Sequence, residues 1–447
     1  MSSNAWPRVT VEALITSGAI VAHKDGNYGS LYPRVEEFGD NGVPFLTAKS
    51  LDAGRIDIAG APRLVDERAD KLRFGFVRSG DVLLSHNATI GRVAVVPQFE
   101  GRLLVGTSLT YFRLNPSSLL PRYFAAYLAG TDFQNQLMAV MSHSTRNQVP
   151  ITAQRALTVV VPPLHVQRIV ADTLGVLEEK VEQNRRTSQA LEALARATFK
   201  AWFVDFEPVN ARAAGQTSFP GMPADAFAVL PDRFTDSALG PVPKGWQAKP
   251  IGDLVTIRGG GTPSTTDETF WKDGKHCWAT PKDLSALQYP LLLATNRRIT
   301  DAGVAKISSG VLPADTVLLS SRAPVGYIAL AKVPTAINQG FIAIVCDGPL
   351  KPHYMLHWLQ ANMDEIKGRA SGTTFAEISK SAFRPILAIE PEPSIVDAFE
   401  RVAKPMFDLI FQCVTESNKL AELRDYLLPR LLSGQVRVNS EKVEVQA

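Results

Sequence analysis

The chain of 447 residues is predicted to be an α+β protein. It should contain two mixed α/β domains, each followed by a long helix, with the two helices pairing as an antiparallel coiled coil and the halves related by an internal pseudo-two-fold repeat. Three observations predict this. Segments of the first half return in the second, each half is rich in short β-branched runs broken by Gly, Pro, Asn and Asp, and each half closes on an apolar stripe with helical spacing.

The repeat is diverged but traceable. Trp6, Val11 and Leu14 recur as Trp246, Ile251 and Leu254. "FLTAKSL" (45–51) returns as "WATPKDL" (278–284), keeping Thr47/Thr280, Lys49/Lys282 and Leu51/Leu284. "DVLLSHNATIGRVAV" returns as "DTVLLSSRAPVGYIAL", with Ser85 on Ser320 and Gly91 on Gly326. "SHSTRNQV" (142–149) aligns with "SGTTFAEI" (371–378) at an offset of 229, which then holds to the end of the following helix. Offsets that drift within the half and settle at its end describe loop-length changes inside one duplicated fold.

Within each half the strands are expected at "DVLLS", "RVAVVP", "RLLVGTSLTYFRL" and "ALTVVVPP", and at "TVLLSS", "YIALAKVP", "GFIAIVCD" and "PILAIEP". One helical stretch interrupts each set, "PRYFAAYLAGTDFQNQLM" and "PHYMLHWLQANMDEI". The expected domains are 1–163 and 246–393, with helices over 164–206 and 394–437, a surface linker over 207–245 and a flexible tail over 438–447. The linker assignment rests on a Pro-, Gly- and Ala-rich composition without sustained period.

The helical stripes carry the pairing argument. Val170, Leu174, Leu177, Val181, Asn184, Ser188, Leu191, Ala195, Thr198 and Trp202 step by 4 and 3 without a slip, which is an a/d seam. The second helix repeats it with Phe399, Ala403, Met406, Ile410, Cys413, Ser417, Leu420, Arg424, Leu427 and Leu431. A seam of about 33 residues makes about 50 Å of helix, more than one domain of this size needs for packing. Asn184 is placed to fix register at a cost in stability. Pro405 is expected to start or kink the second helix, and Pro429 to bend its last turn.

Composition and motifs exclude several classes. "MSSNAWPRVTVEAL" has no basic segment followed by an apolar one, so no secretory signal is expected, and no apolar run reaches the roughly 18 residues of a membrane span. Cys277, Cys346 and Cys413 are scattered, which fits a reducing, cytoplasmic setting. There is no GxxxxGK[ST] loop; "RGGGTPS" (258–264) lacks GxGxxG spacing, and "NPSS" (115–118) is not the Asn-Pro-Pro-aromatic loop of an amino-methyltransferase. His353 and His357 stand one helical turn apart without a third metal ligand in view, and read as packed residues. His86 beside Ser85 suggests an activated nucleophile, but the second copy has Ser321 in place of the histidine. No catalytic set, metal or cofactor is expected in this chain.

What remains is polar chemistry at equivalent loop tips. In the first half these are Lys49 and Ser50, the tip Ser85, His86, Asn87 and Arg92, and the loop Ser144, Thr145, Arg146, Asn147 and Gln148. In the second they are Lys282, the tip Ser320, Ser321 and Arg322, the loop residues Thr373 and Thr374, and Lys380. Arg can read guanine and Asn or Gln adenine, while Lys suits phosphate. A net charge of +3 permits a polyanionic partner without demanding one. Ordinary turn chemistry accounts for any one of these residues, since Ser, Asn and Gly populate turns regardless. Matching loops in two copies favour two modules that read different stretches of double-stranded DNA, spaced by the helix pair.

At this point the sequence resembles the specificity subunits of type I restriction-modification enzymes. The resemblance covers about residues 6–437 and rests on "FKAWFVDFEPV" (199–209), "LRDYLLPRLLSG" (423–434), "GGTPS" with "WATPKDL", and "PPLHVQRIV" (162–170). It implies the order target-recognition domain, spacer helix, target-recognition domain, spacer helix. It implies a split, asymmetric DNA site with one half-site per domain, two modification subunits that methylate adenine N6, and room for two restriction subunits. S-adenosylmethionine, ATP and Mg would belong to those partners. The sequence departs from the pattern at "KDGNYGSLYP", where a GGTP-like loop is usual, and at "PEPSIVDAF", which lacks the usual Gln. A specificity module of another multisubunit methylation or phage-defence system, a single-chain nuclease, and a repeat scaffold that binds only proteins remain alternatives.

The seam generates a test. Inserting four residues, about 6 Å of helix, after Ser188 should lengthen the unread gap between half-sites by one or two base pairs of about 3.4 Å. Base preferences should stay as they were. Methylation sequencing of DNA from cells carrying the altered gene reads both, and an unchanged gap in active protein would mean that the helices only pack locally.

Overall fold

A computed structural model describes residues 6–52, 54–142, 148–372 and 376–432. The expected tail at 438–447 lies outside them. Two compact units account for the chain: one holds residues up to Gln183 together with those from Glu416 onward, the other Asn184–Thr415. The central helix, Leu164–Phe203, and the C-terminal helix, Pro393–Leu432, each contribute residues to both units.

In the first unit the main sheet contains β1 (Ile20–Asp25), β2 (Val82–Ser85), β3 (Val93–Val95) and β4 (Leu109–Leu114), in the order β1-β4-β2-β3 and antiparallel throughout. Both faces are buried, which the period-two geometry of a strand makes visible residue by residue. Val82 and Leu84 join Phe112, Tyr123 and Phe124 on one side, while Leu83 joins Tyr111, Leu46 and Leu51 on the other. The stretch 121–138 belongs to two helices rather than one, Pro121–Ala129 and Thr131–Ser142, because Gly130 turns extended between them (φ −75°, ψ 155°). Arg8–Thr10 pairs with Thr158–Val160 and closes the unit beside the start of the central helix.

The second unit repeats this order. Its sheet contains β5 (Thr256–Gly259), β6 (Leu291–Leu292), β7 (Val317–Ser320), β8 (Ile328–Ala331) and β9 (Phe341–Val345), arranged β5-β9-β7-β8-β6. The short edge strand β6 is the addition. Ser320 stands opposite Phe341 as Ser85 stands opposite Leu109, so the duplicated register survives in the sheet. Gln247–Pro250 pairs with Leu387–Glu390 as the counterpart of the first unit's closing pair.

Each unit builds part of its core from both long helices. In the first, Val170 and Leu174 share a cluster with Leu428 and Leu431, and Leu177 and Leu427 pack at its margin. Val181 and Leu420 are half-buried there, near an exposed ion pair, Lys180–Glu416 at 3.4 Å, that contributes little. In the second, Ala195, Phe199, Trp202 and Phe203 share a cluster with Phe399, Ala403, Phe407 and Ile410, with Leu191 and Met406 at its edge. Phe203 meets Phe399 edge-on, 5.4 Å between centroids at 86°, a favoured aromatic geometry. Asn184 is buried and its Nδ2 donates to the carbonyl of Cys413 at 3.3 Å, so the polar seam residue is satisfied across the helices.

Two expectations are corrected. Residues 207–245 are not a surface linker. They form two short helices, Glu207–Ala213 and Ala224–Val229, and a hairpin of Phe234–Ser237 with Gly240–Pro243. Val209, Met222, Phe227 and Leu230 lie in the same core cluster as Trp202 and Trp246, so apolar burial orders a segment whose composition suggests a loop. Nor does Pro405 start the C-terminal helix, which begins beside the expected residue 394. It starts at Pro393, where a missing N–H costs no helical bond, and it runs through Pro405 and Pro429 to Leu432.

The second unit carries a titratable group where burial has a measurable consequence. His357 lies 5.7 Å from the rings of Phe199 and Phe407, with its Nδ1 2.9 Å from Gln360 Oε1. Burial lowers its pKa to about 4, and neighbouring His353 and Arg196 push the same way. The unfolded chain gains this proton near 6.5, the folded chain only near 4. The group's contribution is therefore fully present above pH 6.5 and is lost as pH falls toward 4, by up to about 3 kcal/mol. Urea midpoints followed by tryptophan fluorescence should fall over that window, and His357→Gln should flatten the fall. Coincident acid curves for the two proteins would contradict the assignment.

Candidate nucleic-acid interface

The candidate residues gather where β2 and β7 end. Ser85, last residue of β2, donates its N–H to Arg92 O at 2.8 Å, and its Oγ accepts from Arg92 N at 2.8 Å. Ser320, last residue of β7, does the same with Tyr327. Its Oγ accepts from Tyr327 N at 2.8 Å and from Gly326 N at 3.1 Å, and it donates to Pro324 O at 2.7 Å. Gly91 and Gly326 close both tips with positive φ, 90° and 114°, which a glycine adopts without a Cβ penalty. A Cβ at Gly91 would stand 2.2 Å from Gln134 Oε1, so the position also needs the space.

This geometry ties several candidate residues into the fold. Ser85 and Ser320 are fully buried and their hydroxyls bond the turn, so they shape the tips. Ser50 is buried too, and its Oγ accepts from Thr47 N at 3.1 Å, as Asp283 Oδ2 accepts from Thr280 N at 2.8 Å in the other copy. His86 is buried with its Nδ1 2.8 Å from Thr110 Oγ1, and burial holds its pKa below the ordinary imidazole value. Ser321 is buried at the equivalent place, its N–H donating to Gly340 O at 2.8 Å. Arg92 is half-buried and its Nη1 donates to Leu51 O and Ala48 O, which ties the tip to the turn that carries Lys49.

The other described candidates are exposed or half-buried. Lys49 and Lys282 are exposed on equivalent turns, Ala48–Ser50 and Pro281–Ser285. Asn87 and Arg322 are half-buried on equivalent tips, and Gln148 bridges Asn87. In the second unit Lys282 and Arg322 line one concavity of about 390 Å³ with Thr280, Ser285 and Asn338. Lys380 is exposed and lies over Gly259, where a Cβ would stand 2.6 Å from its Nζ. Ser144, Thr145, Arg146, Asn147, Thr373 and Thr374 lie outside the described residues.

Two groups escaped the sequence reading. Glu377 bridges Arg322 in the backbone, and its Oε2 lies 3.8 Å from Arg322 Nη1. The offset of 229 that aligns Gln148 with Glu377 is the signal that finds it. Arg297 is exposed with its guanidinium 3.7 Å from the centre of the Trp271 ring, beside Trp278. A basic residue stacked on aromatics suits nucleic acid, but the three are separated in sequence and only the fold unites them.

Both units thus present the same turn with different side chains at its tip. Comparison with known proteins agrees. The family described as "Type I restriction modification DNA specificity domain" matches residues 32–193 and again 243–389, more than half of the chain. The HindI specificity subunit of Haemophilus influenzae is 26% identical over 409 residues, 80% of this chain and 87% of that protein. The MjaIX specificity subunit of Methanocaldococcus jannaschii is 35% identical over 179 residues, 40% of this chain and 41% of that protein. The crystal structure of the type I restriction-modification S subunit from M. genitalium shares the fold, with a TM-score of 0.57 and 14% identity over 96% of this chain and 97% of that one. Among the described residues no helix is long and apolar enough to cross a membrane. The chain belongs to the type I restriction-modification specificity family, and carries that family's DNA specificity domain twice.

Proposed function

We propose that this chain is the DNA-reading scaffold of a type I restriction-modification complex and has no catalytic activity of its own. Each unit reads one half of a split, asymmetric site. Two modification subunits assemble on the scaffold and methylate adenine N6, with S-adenosylmethionine bound to them, and two restriction subunits bring ATP and Mg. The observation that carries the reading is the tip built twice at the end of the same strand, with the same serine, the same glycine and different outward residues. Lys49 and Lys282, common to both units, are phosphate contacts, since a residue shared by two different readers carries no sequence. The two long helices pair along their seams as an antiparallel coiled coil, a pairing supported by the mixed clusters in each unit and by the bond from Asn184 to Cys413.

The test is a domain exchange. Replacing residues 1–160 with the corresponding domain of a relative should change one half-site of the methylated sequence and leave the other intact. A change in both would show that the units do not read separately. In the same complex, Lys49→Ala or Lys282→Ala should weaken binding to matched and mismatched duplexes alike and flatten the salt dependence by about one unit of slope. Loss of discrimination at a single base pair with an unchanged slope would overturn the phosphate assignment.

A further inference from the structure

The two tips share a backbone and differ in one pair of facing residues. In the first unit Val149 N donates to His86 O at 2.8 Å, which sets Asn87 in an antiparallel bridge with Gln148. In the second, Ile378 N donates to Ser321 O at 3.0 Å, and Arg322 bridges Glu377 in the same sense. The likeness extends to the next residue. Ala88 and Ala323 both adopt positive φ, 63° and 57°, a conformation that disfavours a residue with a Cβ. A costly backbone kept in both copies, beside a pair of side chains that changes, is a mount for interchangeable readers.

We infer that these facing positions, 87 with 148 and 322 with 377, determine which base each unit reads; the inference rests on the DNA-reading function proposed above. In the second unit Arg322 supplies the fork for a guanine, and Glu377 is the positioning residue that orients it. Guanine offers two acceptors on its major-groove edge, and a guanidinium carries donors enough to meet both while one edge faces a carboxylate. Arg322 Nη1 and Glu377 Oε2 are 3.8 Å apart, near enough to orient the cation and too far to hold its protons in a tight hydrogen bond. Arg322 also lines the concavity it shares with Lys282, so the guanidinium and a phosphate-binding cation border the same space. In the first unit the pair is Asn87 with Gln148, two amides, which match the donor and acceptor edge of adenine. The acid is confined to the unit that carries the arginine.

The experiment uses the full chain assembled with its modification subunits. The probes are duplexes bearing the site read from methylated host DNA, each base pair varied singly, at two salt concentrations. Arg322→Ala should lower the preference at one G·C pair about ten- to hundredfold. Arg322→Lys, which keeps the charge and the stem without the fork, should do the same while retaining overall binding, so a folding defect in the alanine variant cannot imitate the result. Glu377→Gln should weaken the preference at that same pair, leave the salt slope unchanged, and add little in the Arg322→Ala background. Gln148→Ala should affect only one A·T pair in the other half-site. Glu377→Gln would overturn the pairing if it strengthened binding to every duplex alike, as an acid facing phosphates would, or moved a different base pair. Discrimination that survived all the substitutions would overturn the inference alone. A complex that discriminated among no duplexes would sink the DNA-reading function as well.

Discussion

The first unit cannot complete its core from contiguous chain. The first is built from the N-terminal part of the sequence, yet its cluster needs Leu428 and Leu431 from the far end. The second needs Phe199, Trp202 and Phe203, which lie ahead of its own first strand, on the central helix. Each buried leucine or phenylalanine is worth about 2–5 kcal/mol against truncation to alanine. A domain has about 5–15 kcal/mol in all. Two or three such residues therefore decide whether a unit holds together. The long helices are structural parts of both units first, and the sheets and tips rest on cores that the helices complete.

This constraint explains which parts of the molecule could be read from sequence. The seam was legible because a stripe stepping by 4 and 3 leaves a pattern that survives divergence. Asn184 stood out in it as the one amide, and the fold satisfies it on a backbone carbonyl. The strands were legible as β-branched runs, although Leu83 and Leu318 pack on the face opposite to their neighbours, so both faces are buried and no alternation marks them. The segment 207–245 was illegible because its elements are too short for a period to emerge. Its information lay in isolated apolar residues such as Phe227 and Val209, whose burial depends on the helix next to them. Pro405 does not start the helix, for a local reason: a proline costs one helical bond and a steric adjustment, and packing of Ala403, Phe407 and Ile410 around it outweighs that.

At the site the residue types were legible and their roles were not. A serine at a strand end reads equally well as a ligand contact or as a turn builder, and in the fold Ser320 Oγ accepts from two backbone amides of the turn. His86 and Ser321 occupy one place in the two copies and are both buried there, which accounts for the loss of the imidazole without loss of the tip. Lys49 and Lys282 keep one place in the two copies, while Asn87 and Arg322 share a place and differ in type. The relation between Arg322 and Glu377 joins two loops that are distant in sequence, and only the backbone bridge of the fold brings them together.

The order of synthesis adds a kinetic side to this architecture. Asn184–Thr415 is one uninterrupted stretch, so the second unit has all its parts once Thr415 has left the ribosome. The first unit, although begun earlier, waits for Leu428 and Leu431, nearly the last described residues to be made. Domains generally fold in the order in which they emerge; here the first to emerge is the last to close. Until then the part of its core that Leu428 and Leu431 complete stays open on the nascent chain. The interval in which this protein is most exposed to aggregation or to a chaperone is therefore set by the translation time of its second half.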